Sequence, residues 1–600
     1  MAPDLRGIPG AGGPKRGAGA KRPFAPQILR DPRRQSLPDP SRRFRRRNRG
    51  PKAWTPRRHP RQIPWSTLGI ALGFVLLGSF VFWKFWDATR VNVDITGIEN
   101  GGQMTLAEAS DLDIRIDIAE LDIEEGVTPT LFLNGVSVDD SSYVVDGTSV
   151  EWQPSALPEG THRVAMSIDR PILSDARFEW TFTVDDTPPQ IDVVSPLPAV
   201  PICTPVTVTG QIEPDLVSFT VDGEEYEVDD EGRFSLTFDN APTNTILLEA
   251  QDAAGNTTVS EIVIPVQYPS TQGVHVSAAA WGYQPLRDHI IQMVDEGKVS
   301  AVQLDIKDEG GIVGYDTEVE LAHTIGAVRE EFDMAEAVEY LHSKGVRVIG
   351  RIVAFRDGPL ARWASENGHM DYVVQDPQGG VLSKYGGFTN VASLDVRQYN
   401  IDLAMEAVEL GVDEILWDYV RRPEGNLGEM VFPGLQIAGG STEAEAINNT
   451  VVGFLAEAAE PLRDACVHQG ASLFGVAARN PSAIGQPVPA IARTVDYIAP
   501  MLYPSHWVRG EYRVDHPNAQ PYDIVAAALA DFQAKAAGSG VAFNLWVQDF
   551  SIGIPYGPEE VRAQIEAARD LGVDNWLLWN ATVNYTDEAI TPELVDLADE

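Results

Sequence analysis

Gln303-Leu304-Asp305-Ile306-Lys307-Asp308-Glu309-Gly310-Gly311 reads as the end of a β-strand that breaks into a glycine turn. Period-two alternation puts Gln303, Asp305 and Lys307 on one face and Val302, Leu304 and Ile306 on the other. The apolar face suits packing beneath helices, so the three polar side chains are expected to point inward, where burial demands partners. Outward from this stretch, strand candidates recur at 273–281, 300–307, 346–355, 413–420, 472–479, 496–503, 542–549 and 574–580. Helical amphipathic segments lie between most of them, at 333–344, 398–411, 442–466, 521–536 and 558–571. Eight such units predict a (β/α)₈ barrel over 272–600. No glycine-rich dinucleotide loop follows the first strand, which argues against a Rossmann sheet.

Upstream of the barrel the rhythm is different. Short alternating runs such as Leu112-Asp113-Ile114-Arg115-Ile116-Asp117-Ile118, Thr130-Leu131-Phe132-Leu133 and Phe178-Glu179-Trp180-Thr181-Phe182-Thr183-Val184 predict a β-sandwich over 91–184 and a second over 185–268. The second opens on Asp185-Asp186-Thr187-Pro188-Pro189 and closes on Ala250-Gln251-Asp252-Ala253-Ala254-Gly255-Asn256. These phrases resemble the bacterial immunoglobulin-like modules of cell-surface proteins, which implies two all-β spacers. Their aspartate pairs would either hold calcium or serve as solvated turn carboxylates.

Charge divides the chain again. Residues 1–62 carry 18 of the 46 Lys and Arg against three acids, and everything after residue 83 is strongly acidic. Segment 1–62, rich in Pro, Gly and Arg, is expected to be disordered and cytoplasmic, lying near the inner leaflet or gripping anionic lipid; nucleic acid is not an expected partner. Between the two lies Ile63–Trp83, 21 residues without an ionisable side chain, flanked by Trp65, Trp83 and Trp86. That length crosses a hydrocarbon core of about 30 Å, so 63–86 is expected to be one transmembrane helix. The basic N-terminal side places the N-terminus in the cytoplasm and the later domains outside. The two cysteines, Cys203 and Cys466, fall in different predicted domains, so no disulfide framework is expected, and no spacing suits a zinc site or another cofactor.

In a barrel of this kind chemistry sits at the C-terminal ends of the strands. The fourth strand, Asp413-Glu414-Ile415-Leu416-Trp417-Asp418-Tyr419-Val420-Arg421-Arg422-Pro423, brings Asp418 to the mouth, within reach of substrate or of an ion pair with Arg421, Arg351 or Lys307. Strands six to eight end on Tyr503, His506 and Trp507, on Trp546 and Asp549, and on Trp579. With Trp281, these aromatics beside planar polar groups offer what a sugar ring needs, faces for its C–H bonds and partners for its hydroxyls. Asp418 and Asp305 are the expected catalytic pair, Asp418 ionised and Asp305 the acid, with Asp308 and Asp549 in reserve. Lys307, Asp308, Arg351, Tyr419, Arg421, Tyr503, His506, Trp546, Asp549 and Trp579 are expected to bind substrate; His506 serves equally well as a structural group.

Leu304-Asp305-Ile306-Lys307-Asp308, Arg351-Ile352-Val353-Ala354-Phe355, Trp417-Asp418-Tyr419-Val420-Arg421 and Met501-Leu502-Tyr503-Pro504-Ser505-His506 resemble the "putative glycosyl hydrolase domain" family of bacterial proteins. The resemblance implies a glycosidase-type barrel over Val274–Ala581. More distantly the barrel is similar to the chitinase type. On that family's fourth-strand pattern, Asp413 and Asp418 take the first and third aspartates, while Leu416 replaces the second and Val420 the proton-donating glutamate. The scaffold carries over and the catalytic acid does not. The expected function is a membrane-anchored extracellular glycoside hydrolase acting on cell-envelope or extracellular polysaccharide; the alternative is an inactive barrel that binds wall glycan as a scaffold. A metal-dependent deacetylase or a serine esterase lacks its His spacing or its Gly-x-Ser-x-Gly elbow.

Overall fold

A computed structural model describes residues 75–83, 92–119, 129–169, 175–193, 197–213, 216–243 and 245–590. The basic segment 1–62 lies outside the described residues, as does most of the expected span 63–86. Val75–Trp83 is helical, with its apolar side chains exposed. Among the described residues no helix is long and apolar enough to cross a membrane.

From Asn92 to Val184 two sheets enclose one apolar core. Asn92–Thr96, Ile114–Ala119, Ser149–Trp152 and Tyr143–Asp146 form one; Gly102–Met104, Ala176–Val184, Gly160–Ile168, Thr130–Leu133 and Val136–Ser137 form the other. Alternation drives the pairing: Ile114, Ile116 and Ile118 point inward to meet Leu131, Val164, Met166 and Phe182 from the facing sheet. A second sheet pair follows. Its sheets are Ile191–Val193, Val206–Ile212 and Arg233–Phe238, and Glu224–Glu225, Leu216–Val221, Ile246–Asp252 and Thr257–Ile262, closed over Val208, Phe219, Phe234 and Leu248. In the latter's last hairpin Asp252 caps its own turn, accepting the amides of Ala254 and Asn256 at 2.9 Å. That is the turn-carboxylate role, and among the described residues no acidic or histidine cluster could hold a metal ion.

The remainder is a closed parallel barrel. Its strands are β1 (Gln272–Val276), β2 (Ala301–Lys307), β3 (Arg347–Val353), β4 (Glu414–Asp418), β5 (His468–Phe474), β6 (Tyr497–Met501), β7 (Leu545–Gln548, preceded by Ala542–Phe543) and β8 (Trp576–Trp579). Each pairs in parallel with the next, and β8 pairs with β1 to close the ring. Six of the expected strands lie close to where their apolar runs predict; the first, expected over 273–281, ends at Val276 and gives way to a helix at Ala278–Gly282. The fifth starts four residues early, because it opens on His468-Gln469-Gly470, polar or side-chain-free positions that periodicity does not flag. Residues 356–391 contain a helix, Gly358–Asn367, capped by Asp357 through the Leu360 amide at 2.9 Å. Loops 356–391 and 422–441 are stitched together by a Gln375–Val431 bridge.

Inward-facing side chains fill the barrel: Ala301, Ile349, Leu416, Tyr497, Ala499, Tyr503, Trp546 and Leu577 form one interior cluster. At the end where the strands begin, Arg347 pairs with the buried Glu414, and Tyr268 donates to Glu414 at 2.8 Å and accepts from Asn544 at 3.0 Å. That end is plugged. The opposite end, where the strands finish, gathers Asp305, Arg351 and Asp418.

Two expectations fail here. Cys203 and Cys466, for which no disulfide framework was expected because they fall in different domains, form a disulfide with Cα atoms 5.5 Å apart, bonding the second sandwich to the barrel. The two domains abut there. Asn240 donates to the Arg463 carbonyl at 2.9 Å, Arg463 reaches back to the Ala241 carbonyl at 3.4 Å, and Arg493 lies 3.4 Å from Glu261. The second failure is Lys307. The register of β2 against β3 slips between Asp305 and Lys307, a β-bulge that ends the alternation one residue early. Lys307 therefore leaves the barrel interior and is buried among the helices, bonded to Asn400 at 2.7 Å, Asp357 at 3.0 Å and the Ala354 carbonyl at 3.3 Å.

Candidate active site

Three strand ends deliver side chains to one buried guanidinium. Arg351, on β3, faces inward one strand from Asp305 and one from Asp418, because β2, β3 and β4 run side by side in register. Its Nη1 donates to Asp305 Oδ1 at 2.8 Å, and its Nε and Nη2 donate to Asp418 Oδ2 at 3.0 and 2.6 Å. The same Nη2 donates to Glu309 Oε1 at 2.5 Å. Burial alone would lower the Arg351 pKa, but Glu309, Asp305 and Asp418 outweigh it and hold the guanidinium well above its ordinary value.

The two expected catalytic aspartates thus converge on one guanidinium. Asp305 is almost fully buried and also meets His275 Nε2 at 3.0 Å. Burial pushes its carboxyl up, yet His275 and Arg351 together outweigh that and hold it below the usual carboxylate value. Held by Arg351 and His275 and closed off from solvent, Asp305 is placed as an ion-pair partner, poorly set to exchange a proton with a leaving group. Asp418 is buried too, and its Oδ1 accepts the Tyr419 amide at 2.7 Å. Tyr419 sits at φ 48°, a left-handed conformation unusual for an aromatic residue.

Glu309 went unassigned in the sequence because it lies two residues past the strand, in the turn. Its side chain is 31% exposed, against 2% for Asp305 and 5% for Asp418, which makes it the solvent-facing carboxylate of the cluster. Three acids within the five residues Asp305–Glu309, beside an arginine on the next strand, were the available signal.

The reserve acids are engaged elsewhere. Asp308 accepts the amides of Gly310 and Ile312 at 2.7 and 2.9 Å and shapes its own loop, while burial raises its pKa. Asp549 is raised by burial as well, but both its oxygens are held by Thr586 at 2.7 Å, tying down the turn after β8.

Aromatic side chains complete one wall. Trp579 is half-buried with the Arg351 guanidinium 5.0 Å from its ring centre, His275 at 4.1 Å and Trp546 edge-on at 5.4 Å. Trp546 anchors itself to Ser472 at 3.0 Å and is interior. Burial raises the Tyr503 hydroxyl well above its ordinary value, and Asp418 adds to this. No described residue hydrogen-bonds to that hydroxyl. His506 is exposed at the rim beside Tyr503 and Phe474. Tyr419 and Arg421 form a rim stack: Arg356 donates to the Tyr419 hydroxyl at 2.9 Å, and the Arg421 guanidinium lies 4.6 Å over the same ring and pairs with Glu424 at 2.8 Å. Trp281 and Trp507, expected at the mouth, are buried instead in the outer core between strands and helices.

With this geometry established, residues 273–585, just over half of the chain, match the family described as "Putative glycosyl hydrolase domain". The chain belongs to that family. No curated protein matches it. Among solved structures it is similar to a hypothetical protein of Ruminiclostridium thermocellum, with 28% identity, 33% of this chain and 96% of that one covered, and a TM-score of 0.29. It is also similar to the PgaB (BpsB) glycoside hydrolase domain of Bordetella bronchiseptica, at 15% identity, 55% and 98% coverage and a TM-score of 0.39. A third is the Ostrinia furnacalis Group II chitinase catalytic domain 2, at 10% identity, 55% and 97% coverage and a TM-score of 0.33. These structural likenesses are too loose to bear on chemistry.

Proposed function

We propose that this family member is a membrane-anchored glycoside hydrolase that acts outside the cytoplasm on cell-envelope or extracellular polysaccharide. The observation that carries the reading is the cluster of Asp305, Asp418 and Glu309 on the single Arg351 guanidinium at the end where the strands finish, beside the Trp579 face. Acetal hydrolysis needs two carboxyl groups flanking the bond, and the indole gives the ring a surface to stack on.

The external location rests on two supports. The uncharged stretch Ile63–Trp83 has the length of a membrane span, and the cysteine pair suits an oxidising compartment. In this reading the two sandwiches are immunoglobulin-like spacers and the basic segment 1–62 stays on the cytoplasmic side, against anionic lipid.

The near-complete burial of Asp305 and Asp418 favours a second reading, a barrel that binds wall glycan without cutting it. Incubating the purified chain with a panel of wall and capsular polysaccharides, and measuring new reducing ends, separates the two. The hydrolase releases reducing ends and its Asp418→Asn variant does not. Retention of glycan in a pull-down, with no reducing ends from either protein, selects the scaffold.

A further inference from the structure

We infer that Glu309 is the catalytic acid/base and that hydrolysis proceeds with retention at the anomeric carbon, Asp418 acting as nucleophile; the assignment rests on the hydrolase reading above. Glu309 Oε1 and Asp418 Oδ2 are 2.5 and 2.6 Å from one nitrogen, Arg351 Nη2, so they stand no more than about 5 Å apart. Retaining enzymes hold their carboxyl pair about 5–5.5 Å apart, whereas inverting ones leave about 6.5–9.5 Å for a water between them. The bound on this oxygen pair falls short of the inverting range.

Exposure divides the roles. In each turnover the acid/base gives a proton to the leaving oxygen and takes one from the attacking water, so it must be open to both, and of the three carboxylates on Arg351 only Glu309 has a substantially exposed side chain. Its Oε2 accepts no hydrogen bond from the described residues, leaving one oxygen available for a leaving group. Asp418 is fixed at both oxygens, by the Arg351 guanidinium and the Tyr419 amide, as a nucleophile needs to be if it is to meet the anomeric carbon in one orientation. Asp305 has the opposite duty: bound to His275 and Arg351, it holds the guanidinium in place.

The steps balance. An Asp418 oxygen attacks the anomeric carbon; the glycosidic C–O bond breaks, and its electron pair stays on the departing oxygen, which takes the proton of Glu309. Water then attacks the same carbon from the vacated side, gives its proton to the Glu309 carboxylate, and the Asp418 ester bond breaks. Glycoside plus water gives two hydroxyl products, and both carboxyl groups are regenerated.

Wild type, Glu309→Ala and Glu309→Gln are compared on the polysaccharide that wild type cleaves and on the matching 2,4-dinitrophenyl and 4-nitrophenyl glycosides, with and without sodium azide. Circular dichroism first verifies that each variant is folded. Loss of a general acid is expected to cost 10²–10⁴-fold on polysaccharide. The loss is expected to be far smaller in the first step with dinitrophenol, which departs without a proton. Azide is expected to restore turnover in Glu309→Ala and to give a glycosyl azide of retained configuration by NMR. An active wild type whose folded Glu309 variants keep their rate, or whose first-formed sugar has inverted configuration, overturns the assignment alone. A wild type silent on every glycoside sinks the hydrolase reading, and this assignment with it.

Discussion

Arg351 binds Asp418 through two nitrogens at once, Nε at 3.0 Å and Nη2 at 2.6 Å, both on Oδ2, in a setting where neither residue is more than a few per cent exposed. Three carboxylates share this guanidinium. Replacing it by Met leaves buried anions without a counter-ion, at a cost of about 3–5 kcal/mol, the typical penalty for breaking a buried pair. Lys restores the charge but not the fork, since a single ammonium cannot serve Asp305, Asp418 and Glu309 in their present positions. Urea denaturation is expected to rank wild type above Arg351→Lys above Arg351→Met.

Lys307 and Asp357 form a second buried pair, with no exposure at either side chain. Burial lowers the lysine pKa, so the pair contributes less to stability than it loses when split. Lys307→Met alone is expected to destabilise by about 3–5 kcal/mol. Adding Asp357→Asn should recover a large part of that, because asparagine removes the orphaned charge and still caps the helix through the Leu360 amide. A double-mutant cycle in denaturant checks the coupling.

Acid pH offers a test of Asp305. Its folded-state pKa lies below the unfolded value, so its contribution is fully present above the unfolded value of about 4 and is lost as pH falls through the lower folded value. Melting temperatures are expected to fall as pH drops below about 4. In Asp305→Asn the whole curve lies lower, because an Arg351 partner is gone, but the decline below that pH is shallower. Equal slopes in the two proteins would contradict the ion-pair account.

The Cys203–Cys466 bond closes a loop across a sequence separation of 263 residues. Loop-closure entropy puts its contribution near the upper end of the usual range, about 5 kcal/mol. Cys466→Ser, or reduction of wild type, is expected to lower the melting temperature and to separate unfolding of the second sandwich from that of the barrel in calorimetry. Peptide mapping without reductant should recover the fragments containing Cys203 and Cys466 as one cross-linked species.

The barrel was legible from particular stretches. Ala301–Lys307 and Glu414–Asp418 are buried on both faces, and such strands advertise themselves as apolar runs between helical segments. His468–Phe474 was displaced because its first turn of strand carries polar groups facing Asp496, which binds the Gln469 amide at 2.9 Å. Lys307 was misplaced because alternation assumes unbroken pairing, and a bulge has no local hydrophobic signature. Trp281 and Trp507 were drawn to the mouth by their nearness to strand ends, whereas packing sends them to the outer core.

What the sequence by itself determined is the succession of periodicities: two stretches of short alternating runs, then eight strand-and-helix units with Asp305 and Asp418 at strand ends. Those features are local, set by side-chain spacing along a few residues. What only the tertiary structure decided is who meets whom. Arg351 reaches partners 42, 46 and 67 residues away, Glu309 shares its nitrogen with Asp418, and Cys203 finds Cys466. Such encounters depend on strand register and on how domains abut, and neither leaves a mark in the neighbouring residues.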